Sequence, residues 1–394
     1  MTQQANEVQE AGVQSPGADS SAAPDLPELG HRNYWYPIIE RRRVKKRPVS
    51  VSLLGEDIVL FPGKDGKAVA LVDRCPHRGT KLSRGRILFP GTLSCGYHGW
   101  TYNEHGECVA AIVEGPESRL PGQVCVKAYP TEERFGIVWA FMGEGEAPPL
   151  DEDLPPGLLE QNILVQYVFE YWPCDWRNVT ENYPDMLHAI FVHRNSPEIL
   201  FQQIPAWGKM VVKPLDDGKG LFVLGPGVAM QSDYPGLGKF PRSVWFRVLK
   251  RRTSGGVGAE VRMPGFIILP KRREPYWGFS YSSMQWPIHV GPNMTRILEL
   301  SITFPKSFLH SWFYRIWWKT YYKYIHRWFF TYQDKRLMEV QNYRAPETLC
   351  STDVGVTIYR RLAARIARQS DSKKSASAQD AVHDHEHRIQ RVAT

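Results

Sequence analysis

The sequence predicts an α+β protein of two domains, an N-terminal antiparallel β domain and a C-terminal domain in which helices cover an antiparallel sheet. Three observations carry the prediction. Residues 31–149 hold short apolar runs of strand length, punctuated by Gly/Pro turns. Residues 143–157, GEGEAPPLDEDLPPG, are rich in proline and acid and read as a linker. Beyond them, strand-like runs such as AEVRMPGFIIL and TRILELSITF give way to helical patterns at 307–342 and 356–368.

Taken in order, residues 1–30 are Gln/Ala/Gly/Ser/Pro-rich with little to bury, and read as a disordered arm. VSVSLLGEDIVLF then reads as one strand, ending in the turn signal Pro62-Gly63-Lys64-Asp65-Gly66. AVALVD completes a hairpin with it, and RFGIVWAFM is a further strand. The N-terminal domain therefore spans 31–150. Residues 175–195 open a helix, the second domain runs over 158–368, and 369–394 form a disordered tail.

Composition narrows the class. The chain has 394 residues, 42% apolar, 12% aromatic and 23% charged, which excludes wholesale disorder. No apolar stretch reaches the roughly 18 residues of a membrane span. No signal-peptide layout opens the chain, and six cysteines are too few for a disulfide scaffold. A cytoplasmic, reducing compartment is the expectation. A net charge of +8 on this length predicts local basic patches, not a nucleic-acid binder.

Four residues carry the first chemical signal: Cys75-Pro76-His77 and Cys95-Gly96-Tyr97-His98, a C-x-H, then seventeen residues, then C-x-x-H. Thiolates and imidazoles together suit zinc or an iron–sulfur cluster. A zinc finger usually pairs cysteines in one knuckle and histidines in the other. Here each loop offers one of each. In a Rieske [2Fe–2S] centre, one iron takes two cysteines and the other two histidines. Gly79, Gly96 and Gly99 allow close backbone approach around the sulfurs.

The boxes CPHRG and CGYHGWTY, in this order and spacing, resemble those of the Rieske non-haem iron oxygenases, over about residues 33–149. The second signal is Asp185-x-x-His188-x-x-x-x-His193. Asp185 and His188 share a face at helical spacing, whereas His193 needs the helix to bend or end. Two histidines and a carboxylate make a facial triad for Fe(II).

The resemblance implies His188 and His193 as mononuclear iron ligands. It implies Asp185 as a bridge from a ligand histidine to a cluster histidine of the neighbouring subunit. Asn178, Glu181 and Asn182 lie upstream with roles unassigned. The segment FFTYQDKRLMEVQNY resembles the family's late helix and makes Asp334 the third ligand, with Glu339 and Asp353 as competitors. The expected cofactors are the Rieske cluster and mononuclear Fe(II), with O2 as co-substrate. The expected partners are a ferredoxin or flavin reductase, since no dinucleotide fingerprint is present. A homotrimer is implied, with a small second subunit in some members of the family.

The implied activity is that of a terminal oxygenase, mono- or dioxygenating. HRNYWYP and GEGEAPPL resemble the carbazole-oxygenase-like group, which leans toward an apolar aromatic or polycyclic substrate. N- or O-demethylation is the alternative, and an electron carrier with an empty second site the competing class.

Other segments keep two readings. Residues 41–47 put six positive charges in seven residues, for steering an acidic redox partner or as a solvated loop. Residues 311–332 hold twelve aromatics, with Arg315, Lys319, Lys323 and Arg327 at every fourth position. Such a helix is either buried or in a subunit contact, or it touches a membrane surface peripherally. The His383–His387 cluster reads as tail, and Cys108, Cys125, Cys174 and Cys350 as incidental thiols.

Overall fold

A computed structural model describes residues 25–188, 192–193, 210–225, 233–234, 238–239, 258–273 and 280–367. The tail from 369, the His383–His387 cluster and residues 1–24 lie outside the described residues. Among the described residues no helix is long and apolar enough to cross a membrane.

Three small antiparallel sheets build the N-terminal half. Trp35–Glu40 pairs with Ile137–Phe141, which pairs with Thr131–Arg134. Val49–Leu53, Glu56–Pro62, Ala68–Val72 and Ala128–Tyr129 make the second sheet. Leu93–Ser94, Trp100–Tyr102 and Cys108–Ala111 make the third. VSVSLLGEDIVLF is thus two strands, not one. Its Leu54-Gly55 pair turns the chain with φ of 49° and 79°, the two left-handed residues of a tight hairpin.

The second half is a seven-stranded antiparallel sheet. In order across it run Leu164–Trp172, Met294–Thr303, Ser280–Gly291, Phe266–Arg273, Gly258–Arg262, Gly220–Leu224 and Val211–Pro214. The domain's first strand therefore closes beside its last. Met294–Thr303 is buried along nearly its whole length because a layer covers each face. Leu298, Leu300 and Ile302 enter the core shared with the N-terminal half, and the alternate residue Glu299 points to the helical side.

Three expectations are corrected. Residues 25–30 do not belong to a disordered arm. Leu26 is 2% exposed and packs with Trp176 and Tyr359, and its backbone N–H donates to the Tyr343 hydroxyl. Residues 143–157 do not form a loose linker either. They carry single turns at Leu150–Glu152 and Pro156–Leu158, and Leu150, Leu154 and Leu158 bury their side chains.

Burying those leucines ties the two halves into one core, where Trp139 and Tyr36 meet Trp286 of the large sheet. Arg296 completes the tie by donating to the carbonyls of Ile38 and Pro37 at 2.6 and 3.0 Å.

The one or two long helices expected at 307–342 are broken into shorter segments. An α-helix Phe308–Trp317, capped by the Ser307 hydroxyl, runs into a π-helix Trp318–His326. Short α-segments Arg327–Phe329 and Thr331–Met338 follow. The wider π turns shift the angular register. The fourth-residue stripe therefore breaks: Arg315 and Lys319 stay exposed, but Arg327 turns inward to Glu170 and Glu299. A last helix covers 354–367.

Candidate metal centres and active site

Cys75 and Cys95 open two turns of the same construction. In the first, Cys75 N–H donates to the Thr80 carbonyl and Gly79 N–H to the Cys75 carbonyl. In the second, Cys95 N–H donates to the Trp100 carbonyl and Gly99 N–H to the Cys95 carbonyl. Both turns need a left-handed residue at the fifth position, supplied by Gly79 (φ 72°) and Gly99 (φ 66°). Asp73 braces the first, accepting from the Ser83 N–H and from the hydroxyls of Ser83 and Ser50.

The two turns face each other. The thiols of Cys75 and Cys95 are buried and free of disulfides, and burial, with Cys75 beside it, raises the Cys95 pKa. His77 is exposed and His98 half-exposed, with ring centroids 4.6 Å apart. Buried thiols and more exposed imidazoles are a donor set that would fit a binuclear iron–sulfur cluster. Trp100 stacks on His77 at 4.5 Å, and the Tyr102 hydroxyl lies 3.3 Å from Cys75 Sγ.

The second site assembles from distant segments. Asp175 caps the helix Trp176–Glu181, which stops before Pro184 because proline disfavours helix in the residue preceding it. A single 3₁₀ turn, Met186–His188, presents His188. This answers the spacing problem: the helix ends, so His188 and His193 can face one point.

Asp334 completes the set from the helix Thr331–Met338. The ligand atoms of His188, His193 and Asp334 lie within 4.8 Å of one another. Asp334 Oδ1 is 3.6 Å from His188 Nε2 and 3.3 Å from His193 Nε2. That oxygen is buried without a hydrogen bond. A buried carboxylate oxygen facing two imidazoles is an arrangement that a divalent cation stabilises. The donor set therefore fits Fe(II).

The competitors lie elsewhere. Glu339 pairs with Lys335 one turn away, and Asp353 caps the Cys350 N–H. Asp185 meets His188 through its backbone carbonyl, which contacts Nδ1, while its carboxylate accepts from the Leu187 N–H. Burial raises the Asp185 pKa.

Of the three residues left unassigned, Asn182 touches His188 Nε2 at 3.3 Å. Asn178 donates to the Gln341 carbonyl. Glu181 is held by Arg360 at 2.6 Å, anchoring the last helix beneath the ligand loop.

Sequence reasoning missed the groups around the triad. Gln333 Oε1 faces His193 Nδ1 at 3.2 Å, and Phe330 stacks on that ring at 3.8 Å. Their adjacency to Asp334 was the available signal. A small cavity adjoins them, with Phe330 and Thr331 in its wall. Tyr183, Ile267, Leu269 and Phe330 give it apolar walls, and Ser283, Gln285, Glu299 and Thr331 polar points. Burial pushes Glu299 up to about 7, and the Tyr322 hydroxyl hydrogen-bonded to it opposes that shift.

Paired cysteine–histidine turns and a separate cluster of two histidines and an aspartate are thus the two candidate metal sites of the chain. Comparison makes this specific. Residues 34–130 match the Rieske [2Fe-2S] domain and residues 141–217 the homotrimeric ring hydroxylase family.

The terminal oxygenase component of carbazole 1,9a-dioxygenase from a Sphingomonas species is 39% identical over 171 residues, covering 43% of this chain and 45% of that protein. The 5,5'-dehydrodivanillate O-demethylase oxygenase subunit of a Sphingobium species is 36% identical, covering 42% and 39%. The matches thus span less than half the length of these curated relatives.

The solved terminal oxygenase of carbazole 1,9a-dioxygenase from Novosphingobium sp. KA1 superposes with TM-score 0.69 at 26% identity, covering 86% of this chain and 94% of that one. The chain thus carries a Rieske [2Fe-2S] domain followed by a homotrimeric ring-hydroxylase domain, in a fold similar to that of a solved terminal oxygenase. The α+β expectation, a β Rieske domain followed by a sheet domain, is borne out.

Proposed function

We propose that this chain is the terminal oxygenase of a multicomponent system that hydroxylates an apolar, aromatic or polycyclic small molecule. One observation carries the reading: a buried two-histidine, one-carboxylate triad opens beside an apolar-walled cavity, in a chain that also holds the cluster turns.

Cys75, His77, Cys95 and His98 would hold the [2Fe–2S] cluster; His188, His193 and Asp334 would hold Fe(II). When bound, the two centres supply electrons singly and activate O2 beside the substrate.

The chain's own residues set the conditions. Gln333 fixes the His193 ring by its Nδ1, and the Asp185 carbonyl fixes His188, so each presents Nε2 to the metal. Tyr183, Ile267, Leu269 and Phe330 exclude water from the cavity wall.

The assembly is a homotrimer in this reading, because the matched domain family is homotrimeric. Asp185 then bridges His188 to a cluster histidine of the neighbouring subunit. A ferredoxin is the electron donor in this reading, since similar carbazole oxygenases have been solved in complex with one. O-demethylation is the second reading, supported by the demethylase relative.

Anaerobic single turnover tests all of this. Reduced, iron-loaded protein meets O2 and a panel of aromatic, polycyclic and O-methyl compounds, and mass spectrometry reads the products. Two oxygen atoms added to one compound supports ring dioxygenation. One oxygen added, or a methyl lost, supports the monooxygenase or demethylase reading. A cluster that does not oxidise in step with O2 consumption sinks the oxygenase reading in favour of an electron carrier.

A further inference from the structure

The helical segment 308–328 has two unlike faces. Its inner face, Tyr314, Trp317, Trp318 and Tyr322, is buried, and Tyr322 reaches the cavity. Its outer face exposes large apolar groups: Phe308 by 81%, Leu309 by 72%, Trp312 by 55%, Tyr324 by 60% and Trp328 by 59%. Arg315 and Lys319 stand exposed among them, and Lys323 is half-exposed. No acid occurs in the sequence between Glu299 and Asp334. A solvated helix face would mix charge signs, whereas this one carries cations among large apolar groups and no acid.

We propose that this outer face docks the enzyme on an anionic lipid surface, with the helix lying in the headgroup plane. Each feature has its counterpart there. Trp and Tyr rings favour the interface, Phe308 and Leu309 enter the acyl boundary, and the cations meet acidic headgroups. Charge complementarity selects lipid over a second copy of this chain, which is itself net positive at +8. Protein interface cores also deplete lysine. Docking would set the cavity about one helix diameter, ~10 Å, from the lipid. Only this last consequence, delivery of an apolar substrate, rests on the proposed function.

The test is flotation of the intact, cluster- and iron-loaded protein with vesicles of phosphatidylcholine alone or with about one-third phosphatidylglycerol. The expected result is binding to the anionic vesicles at low salt, release at high salt, and little binding to phosphatidylcholine. Removing a cation near such a surface weakens binding about fivefold. Arg315→Gln, Lys319→Gln and Lys323→Gln together should therefore lower partitioning roughly a hundredfold. Trp312→Ser with Trp328→Ser should also lower it, with the cluster spectrum and the sedimentation coefficient unchanged.

Failure of the unaltered protein to bind anionic vesicles overturns the proposal. So does dissociation of the assembly by the tryptophan changes, which would assign the face to a subunit contact. Partitioning is read without turnover, so it stands or falls separately from the oxygenase reading.

Discussion

The two candidate metal sites of this chain are built in opposite ways. The candidate cluster ligands come from two turns, residues 75–80 and 95–100, each closed by its own backbone hydrogen bonds. The triad joins His188 and His193 to Asp334, roughly 140 residues later, across a sheet and a broken helix. The first site is local and self-supporting. The second exists only when the tertiary fold brings its parts together. Damage to the two should therefore read out differently, and the largest differences come first.

Asp334→Ala should abolish mononuclear iron binding and lower turnover roughly a thousandfold or more, since a catalytic metal supplies several kcal/mol of stabilisation. The cluster spectrum should persist, because the two cysteine turns are closed by their own backbone hydrogen bonds. Metal analysis with visible absorption checks both at once. Iron content unchanged from the unaltered protein would remove Asp334 from the ligand set. Asp185→Asn is the next largest. It should leave both metals loaded and cut turnover by about 10- to 100-fold, as losing an outer-shell carboxylate commonly does. Full turnover by that variant would end the bridging role.

That contrast also explains what was legible in the sequence. The four candidate cluster ligands stood out by spacing, and a family resemblance set a cluster above zinc, because the turn pattern is local: a cysteine, a histidine and a glycine within five residues. His188 and His193 were visible in one short segment, but their convergence depended on Pro184 ending the helix.

Asp334 needed a family resemblance, since a lone acid on a helix carries no local mark. Gln333 and Phe330 went unread for the same reason, and the cavity polar groups Gln285 and Glu299 sit on strands whose alternation marks facing, not chemistry. The linker misled because proline and acid argue against regular structure but not against burial. Leu150, Leu154 and Leu158, spaced every fourth residue, were the overlooked signal.

Gln333→Leu sharpens the comparison on the tertiary side. It removes the acceptor that holds His193 Nδ1 at 3.2 Å while keeping the volume similar. Iron affinity should fall by about 10- to 100-fold, the usual cost of losing such a partner. Titration of the apo-protein with Fe(II), with cluster absorption as internal control, measures it. An unchanged affinity would mean that Phe330 stacking alone orients the ring.

The smallest effect tests how alike the two cluster turns are. Gly79 and Gly99 have matching φ of 72° and 66°, so alanine at either should cost about 1–2 kcal/mol for the left-handed conformation. Their surroundings differ. A Cβ on Gly79 would meet nothing nearer than the Arg74 guanidinium at 3.6 Å, a flexible end that can move. A Cβ on Gly99 would lie 2.9 Å from the Ile112 Cβ, which is fixed to its backbone and cannot swing away. Ile112 N–H also donates to the Gly99 carbonyl, so a shift at one drags the other. Gly99→Ala should therefore exceed Gly79→Ala by roughly 1 kcal/mol, the low end of overpacking costs. Urea midpoints of the two holo-variants, followed by cluster absorption, give the difference. Equal midpoints would mean that the segment at Ile112 yields freely and that the two turns are equivalent in energy as well as in hydrogen bonding.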